Sequence, residues 1–236
     1  MKTFNKALSG LCIGLGLIVM GAILSYGIIT VKDRDRIVTV KGLAEREVNA
    51  DRVIWPLVFK EIGNDMTSIY NEINRKNGIV CDFLEENGIT EAEISIAAPQ
   101  IIDMRAERYV NSNDINYRYN VTSIITVSSG QVDKVRQLIT RQADLLKKGV
   151  AITGDDYRYT TQYEFTRLND IKPEMIEEAT VAARNAAEKF AKDSDSKLGK
   201  IRRANQGQFV ISDRDNNTPY IKQVRVVTTI DYYLKD

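Results

Sequence analysis

A chain of 236 residues with 33 basic and 32 acidic side chains, 43% hydrophobic residues and no histidine excludes several functional classes at once. The near-neutral balance offers no general attraction for nucleic acid or an anionic surface. Without histidine there is no Ser-His-Asp triad, no HExxH zinc site and no imidazole proton shuttle.

The first feature in chain order is Ala7 to Val31, a run of 25 residues without one charged side chain. A helix of that length rises about 37 Å, against a hydrocarbon core of about 30 Å. Lys2 and Lys6 precede it as a short basic segment. A cleaved signal peptide would show a shorter apolar region ending at an A-x-A-like site. The only small-residue candidates, Gly21-Ala22 and Ser25-Tyr26-Gly27, lie inside continuing apolar sequence. The expectation is an uncleaved signal anchor over 7–31, with 1–6 in the cytoplasm and 32–236 exported to the periplasm. The flanking charges do not decide orientation, because Lys32, Arg34 and Arg36 oppose Lys2 and Lys6. The signal-like order of basic tip, apolar helix and large hydrophilic part favours export. Gly10 and Gly14 form a GxxxG pair that Gly21 and Ser25 continue, a stripe that permits close helix approach. Glycine is also common in membrane helices without any such role.

The 205 residues after Val31 (236 minus 31) suit one domain. Lys2 and Lys6 are the only cations before Lys32, so this part carries 31 basic against 32 acidic groups. Cys12 falls in the apolar run and Cys81 beyond it, so the exported part holds no internal disulfide. Cys12 comes too early, after Leu11, for a lipobox. Cys81 sits beside the apolar face of a predicted helix, which fits a half-buried, unreactive thiol.

Arg36–Lys41 and Arg52–Ile62 read as strands, with Val53, Trp55, Leu57 and Phe59 alternating onto one face, and Gly42–Asn49 as an extension into a long hairpin. Pro56 cannot donate to a ladder, which predicts an edge strand or a bulge and hence a contact for another subunit. Ile69, Ile73, Val80, Phe83, Leu84 and Asn87 draw a helical stripe over 65–87, capped by Asn64 or Asp65 and stopped at Gly88. Strands follow at Ile94–Ala97, Ile101–Val110 and Asn116–Val127. A second helix starts at Ser128 or Ser129 and runs through Val132, Val135, Leu138, Ile139, Gln142, Leu145 and Leu146 to Gly149.

Tyr157 to Phe165 alternates aromatic and Thr residues with polar ones and predicts a half-buried strand, better suited to a core than to a base-stacking platform. Pro173 opens a third helix to about Ser196 in its first turn. Its face, Ile176, Ala179, Ala183, Ala186, Ala187 and Phe190, is small enough to lie close to a sheet or a neighbouring subunit. Gly199 ends it, Lys197, Lys200, Arg202 and Arg203 read as a solvated helix end, and Ile201–Ile211 with Tyr220–Leu234 form a closing hairpin. Asp213-Arg-Asp215-Asn-Asn217 imitates a calcium loop, but Thr218 stands where glycine is required and Val224 where the bidentate glutamate belongs, so a polar turn is expected. The chain carries no Walker A, GxSxG, CxxC or dinucleotide fingerprint in a strand-to-helix setting, and hence no catalytic, cofactor or metal motif.

Val38–Phe59 (VTVKGLAEREVNADRVIWPLVF), Tyr119–Phe165 and Ala179–Ile201 (ATVAARNAAEKFAKDSDSKLGKI) together resemble the SIMPL-domain family over nearly all of 36–236. Gly42 matches the first glycine of its opening V-x-G-x-G, Ala44 replaces the second, and Ala50-Asp51 stands where Pro-Asp is usual. The resemblance implies an exported α+β domain with a role in oxidative or envelope stress tolerance, in a family some of whose members look like building blocks of ring- or channel-shaped homo-oligomers.

The expected fold is therefore α+β, a largely antiparallel sheet with three amphipathic helices, preceded by one N-terminal transmembrane helix. The expected function is that of a non-enzymatic homo-oligomeric protein of the inner membrane, single-pass and facing the periplasm, with no nucleic-acid partner. A periplasmic binding module for a peptide or small ligand is the alternative. Candidate oligomer contacts are Gly10, Gly14, Gly21, Pro56, Ala179, Ala183, Ala186 and Ala187.

Overall fold

The computed structural model describes residues 14–28, 36–106, 116–154 and 157–235. They form an α+β protein of two antiparallel sheets and five helices. The elements are helix α1 (14–28), β1 (Ile37–Asn49), β2 (Arg52–Gly63), α2 (Met66–Glu86), β3 (Ile94–Ile96), β4 (Gln100–Asp103), β5 (Tyr119–Ser129), α3 (Val132–Thr140), α4 (Ala143–Lys147), β6 (Gln162–Glu164), α5 (Leu168–Asp193), β7 (Lys197–Gln206), β8 (Val210–Asp213) and β9 (Ile221–Lys235). The chain divides into two compact units. One comprises the residues to Arg46 with Asn169–Val210 and Val224–Asp236, the other Glu47–Leu168 with Ile211–Gln223.

The larger unit is built on β2, which pairs antiparallel with β5 from Val53↔Ser129 to Gly63↔Tyr119. β3 and β4 pair with the far side of β5. Val53, Trp55, Leu57 and Phe59 alternate into the core as their spacing predicts, and meet Ile73, Val80, Phe83 and Leu84 of α2. Asp65 caps α2 by accepting from the Ser68 N–H at 2.8 Å, and Gly88 leaves it at φ +78. Inside that core Asn77 accepts from the Ser123 hydroxyl at 2.8 Å, which settles a buried amide the apolar stripe did not include.

Four expectations need correction here. The register runs through Pro56↔Thr126 without the bulge, while β6 pairs with β2 only at Arg52–Ile54 and stops short of Pro56. Strands β1 and β2 do not form a hairpin, since each joins a different sheet. The second helix is two, because the chain turns at Arg141 and Gln142, leaving Leu145 buried and Leu146 63% exposed. The stretch 157–165 is mostly not a strand. Thr153 donates its N–H to the Val58 carbonyl at 2.7 Å and so occupies β2 beyond Ile54. Only Gln162–Glu164 then pairs, and Tyr157 is in a 3-10 turn, 86% exposed.

In the smaller unit β9 lies between β1 and β7. Helix α5 buries Met175, Ala179, Ala183, Ala187 and Ala191, a row at every fourth residue. The reason for alanine is Gly42. A Cβ built on Gly42 would stand 1.8 Å from the Ala179 carbonyl oxygen, 2.5 Å from the Ala183 nitrogen and 2.8 Å from the Ala183 Cβ. Backbone thus meets backbone, with Val40, Ile230 and Tyr232 closing the small core around it.

The details of α5 also differ from expectation. It starts five residues before Pro173, whose missing N–H leaves the Asn169 carbonyl without its helical donor. Phe190 is 60% exposed and off the buried row. Asp195 at φ +52, not Gly199, turns the chain out of the helix. Gly199 lies in β7, where a side chain would meet the Tyr233 carbonyl oxygen at 2.7 Å and where the register with β9 shifts. The basic group Lys197, Lys200, Arg202 and Arg203 is therefore on a strand rather than a helix end.

Candidate functional site

The larger unit gathers its polar groups around the start of α3. The β1–β2 connection supplies Asn49 and Asp51, the β5–α3 junction supplies Gln131, Asp133 and Lys134, and the lead into α5 supplies Arg167. Together they line an open cleft of about 390 Å³. Asp51 organises it. Its carboxylate accepts from the Thr166 N–H and hydroxyl, both at 2.9 Å, and from the Arg167 N–H and Nε, both at 3.2 Å. Burial opposes the charge on Asp51, and those donors outweigh it, holding the carboxyl below its ordinary range. With four donors in place this carboxylate has no lone pair to spare as a general base.

On the other side of the junction, Ser129 donates to Glu93 at 2.5 Å and accepts from the Gln131 N–H at 2.9 Å. That bond, foremost, keeps Glu93 ionised below its usual value. A second cleft, about 460 Å³, follows α3 along Asp133, Arg136, Gln137 and Thr140. The Arg136 guanidinium lies 3.4 Å from the centre of the Tyr220 ring, and Tyr220 meets Tyr163 edge-on at 6.1 Å. Burial pushes the Tyr163 hydroxyl upward, away from proton-transfer chemistry near neutrality. The stack ties α3 to Tyr220, and Arg136 is also paired with Asp133 at 3.2 Å.

Among the described residues no three His, Cys, Asp or Glu side chains are grouped to hold a metal. The calcium-like segment is a turn whose carboxylates are engaged: Asp215 accepts from the Asn217 and Thr218 N–H groups at 2.8 and 2.7 Å, and Asp213 pairs with Lys222. Cys81 is half-buried, and desolvation together with Glu85 and Asp82 raises its thiol. It is a poor nucleophile there.

The residues expected to make subunit contacts are not brought together. Gly10 lies outside the described residues. Gly14 and Gly21 are on α1, where a Cβ would meet nothing within 4 Å. Pro56 is half-buried inside β2. Ala179, Ala183 and Ala187 are fully buried and Ala186 is half-buried. Of the two partners a small-residue face can accept, the structure supplies the sheet of its own unit. Sequence reasoning missed the Asp51 clasp and the Arg136–Tyr220 stack. The opening glycine and aspartate of the SIMPL pattern were the available signal for Gly42 and Asp51, whereas nothing local joins Arg136 to Tyr220.

No curated protein matches the chain. The family model named SIMPL, described as a protein of unknown function (DUF541), matches residues 38–228. That span takes in Gly42, the Asp51 clasp and both sheets apart from Ile37 and the end of β9 after Thr228, and this chain belongs to the SIMPL family.

Proposed function

We propose that this chain is an inner-membrane protein, anchored by its N-terminal helix with its SIMPL domain in the periplasm, that works by homo-oligomeric assembly rather than by catalysis. The observation that carries the reading is α1. Its large apolar side chains, from Leu15 and Leu17 to Tyr26 and Ile28, are 53 to 75% exposed, a surface that a membrane or helix partner covers and water does not favour. Among the described residues no helix is long and apolar enough to cross a membrane. The uncharged run, however, continues beyond 14–28 at both ends, to Ala7 and Val31. Assembly is supported by confinement, since a tether raises the effective concentration of like domains. The open Gly14 and Gly21 positions offer a packing stripe. A role in envelope or oxidative stress tolerance enters from the family resemblance.

Proteolysis of intact spheroplasts tests the placement. The domain is degraded from outside if the reading holds, and survives until lysis if it fails. A second reading, a binding module for a peptide or small ligand, draws on the open cleft along Asp133, Arg136, Gln137 and Thr140. It takes first place if the full-length protein is monomeric.

A further inference from the structure

In the smaller unit several elements end together where the chain enters. The Arg36 carbonyl accepts from the Leu234 N–H at 2.8 Å and its guanidinium donates to the Ser196 hydroxyl at 3.2 Å. Lys197 at the start of β7 stands opposite Lys235 at the close of β9. This end, with the last turns of α5, carries Lys189, Lys192, Lys197, Lys200 and Lys235, all exposed, against Asp193 and Asp195, with Glu188 paired to Arg184 and Asp236 following Lys235 in sequence. In the same unit Arg46 is paired with Glu174 and Glu178, and Arg225 with Glu45. These five lysines make no ion pair or side-chain hydrogen bond among the described residues. Phe190 lies between the first two of them in sequence, 60% exposed. Lysine on an edge strand deters strand pairing. That accounts for Lys197 and Lys200, and leaves Lys189, Lys192, Lys235 and an exposed Phe190 unexplained.

We propose that this end of the unit docks on anionic lipid headgroups, its lysine ammoniums on phosphates and Phe190 at the interfacial level. The inference rests on the anchored reading. Residues 29–35 separate α1 from Arg36, and fully extended they reach at most about 27 Å. The lysines are thus tethered beside the headgroups, at an effective concentration far above that of a free protein. Lys32 and Arg34 are balanced by Asp33 and Asp35 in the connecting segment, so the surplus of cations comes from the folded end itself. Each lysine brought within a Debye length of an anionic surface favours docking by about fivefold. Aromatic side chains at such a boundary suit the headgroup level.

The test uses the full chain in nanodiscs of phosphatidylcholine alone or of equal parts phosphatidylcholine and phosphatidylglycerol. An impermeant amine reagent labels lysines, and mass spectrometry compares Lys192, Lys197, Lys200 and Lys235 with Lys41 and Lys60 of the same molecule. The expected result is severalfold slower labelling of the first group in anionic discs only. In 1 M salt, where the Debye length is about 3 Å, the difference is lost. K197Q/K200Q/K235Q, all at exposed sites, should abolish the protection of Lys192. Equal labelling in both discs, or protection in both, overturns the docking face. Co-elution with phosphatidylcholine discs reads the anchor separately. A chain that co-elutes but shows no protection keeps its anchor and loses the lipid face. One that associates only with anionic discs, in a salt-sensitive way, keeps the face and loses the anchor.

Discussion

Gly42→Ala should be the most disruptive single-methyl change in the protein. The added Cβ would sit 1.8 Å from a backbone oxygen, while real Cβ contacts essentially never fall below 3.0 Å. Helix α5 or strand β1 must therefore retreat by at least 1.2 Å, the difference between those distances. A gap of about 0.5–1 Å already forfeits a quarter to a half of a dispersion contact. The loss falls on Ala179, Ala183 and Ala187, all at zero exposure, and on Val40 and Ile230. Overpacking of a tight core costs about 1–3 kcal/mol. An obstacle made of backbone places this variant at the upper end, even after about 0.4–1 kcal/mol is returned by the stiffer unfolded chain. Urea denaturation of the full chain in mild detergent, followed by far-ultraviolet circular dichroism, measures the loss. Trp55, the only tryptophan, is in the core of the other unit, so its fluorescence is the wrong probe for this site. Adding Ala183→Gly removes the 2.8 Å contact and leaves the 1.8 Å contact to Ala179 in place, so it should not rescue. Wild-type stability in the single variant, or full rescue in the double, would refute the backbone argument.

Asp51→Asn removes the charge that four donors converge on. A hydrogen bond to a charged group contributes about 1.5–3 kcal/mol, and a denaturation midpoint that stays at the wild-type value would show that the clasp is idle. The same carboxyl sets a pH dependence. Because its folded pKa lies below the unfolded one, its contribution is present above about pH 4 and is lost as pH falls through the depressed value. The gap between wild type and Asp51→Asn, measured from pH 7 down to pH 2, should therefore narrow in acid. Ser123→Ala leaves the buried Asn77 amide oxygen without its donor and should cost about 1–3 kcal/mol. The double change with Asn77→Leu should recover part of that loss in the same titration. Gly14→Leu with Gly21→Leu fills the open stripe on α1 and should lower the oligomer mass without changing the circular dichroism of the domain.

The larger unit was largely legible because period is a local property. Val53, Trp55, Leu57 and Phe59 alternate, the α2 stripe repeats at three and four, and Asp65 and Gly88 mark where that helix must start and stop. Partner choice was not legible. Nothing in β1 says that it joins β9, nearly two hundred residues on, and not its neighbour β2. The tyrosine alternation at 157–165 has strand character, yet pairing depends on whether β2 is still free, and Thr153 takes that place. Alanines in α5 announced a close approach without saying to what. The answer is the one residue of β1 with no Cβ. The Asp51 clasp joins positions 115 and 116 residues apart, which no spacing rule detects.

Self-association of the anchored chain is the claim that everything functional depends on, and light scattering measures it most directly. The full-length protein in mild detergent should run as an oligomer at micromolar concentration. With Ala179, Ala183 and Ala187 buried and Gly14 and Gly21 open on α1, the proposed assembly uses α1, and Gly14→Leu with Gly21→Leu should reduce that mass. A full-length protein that stays monomeric across the whole micromolar range contradicts the assembly reading.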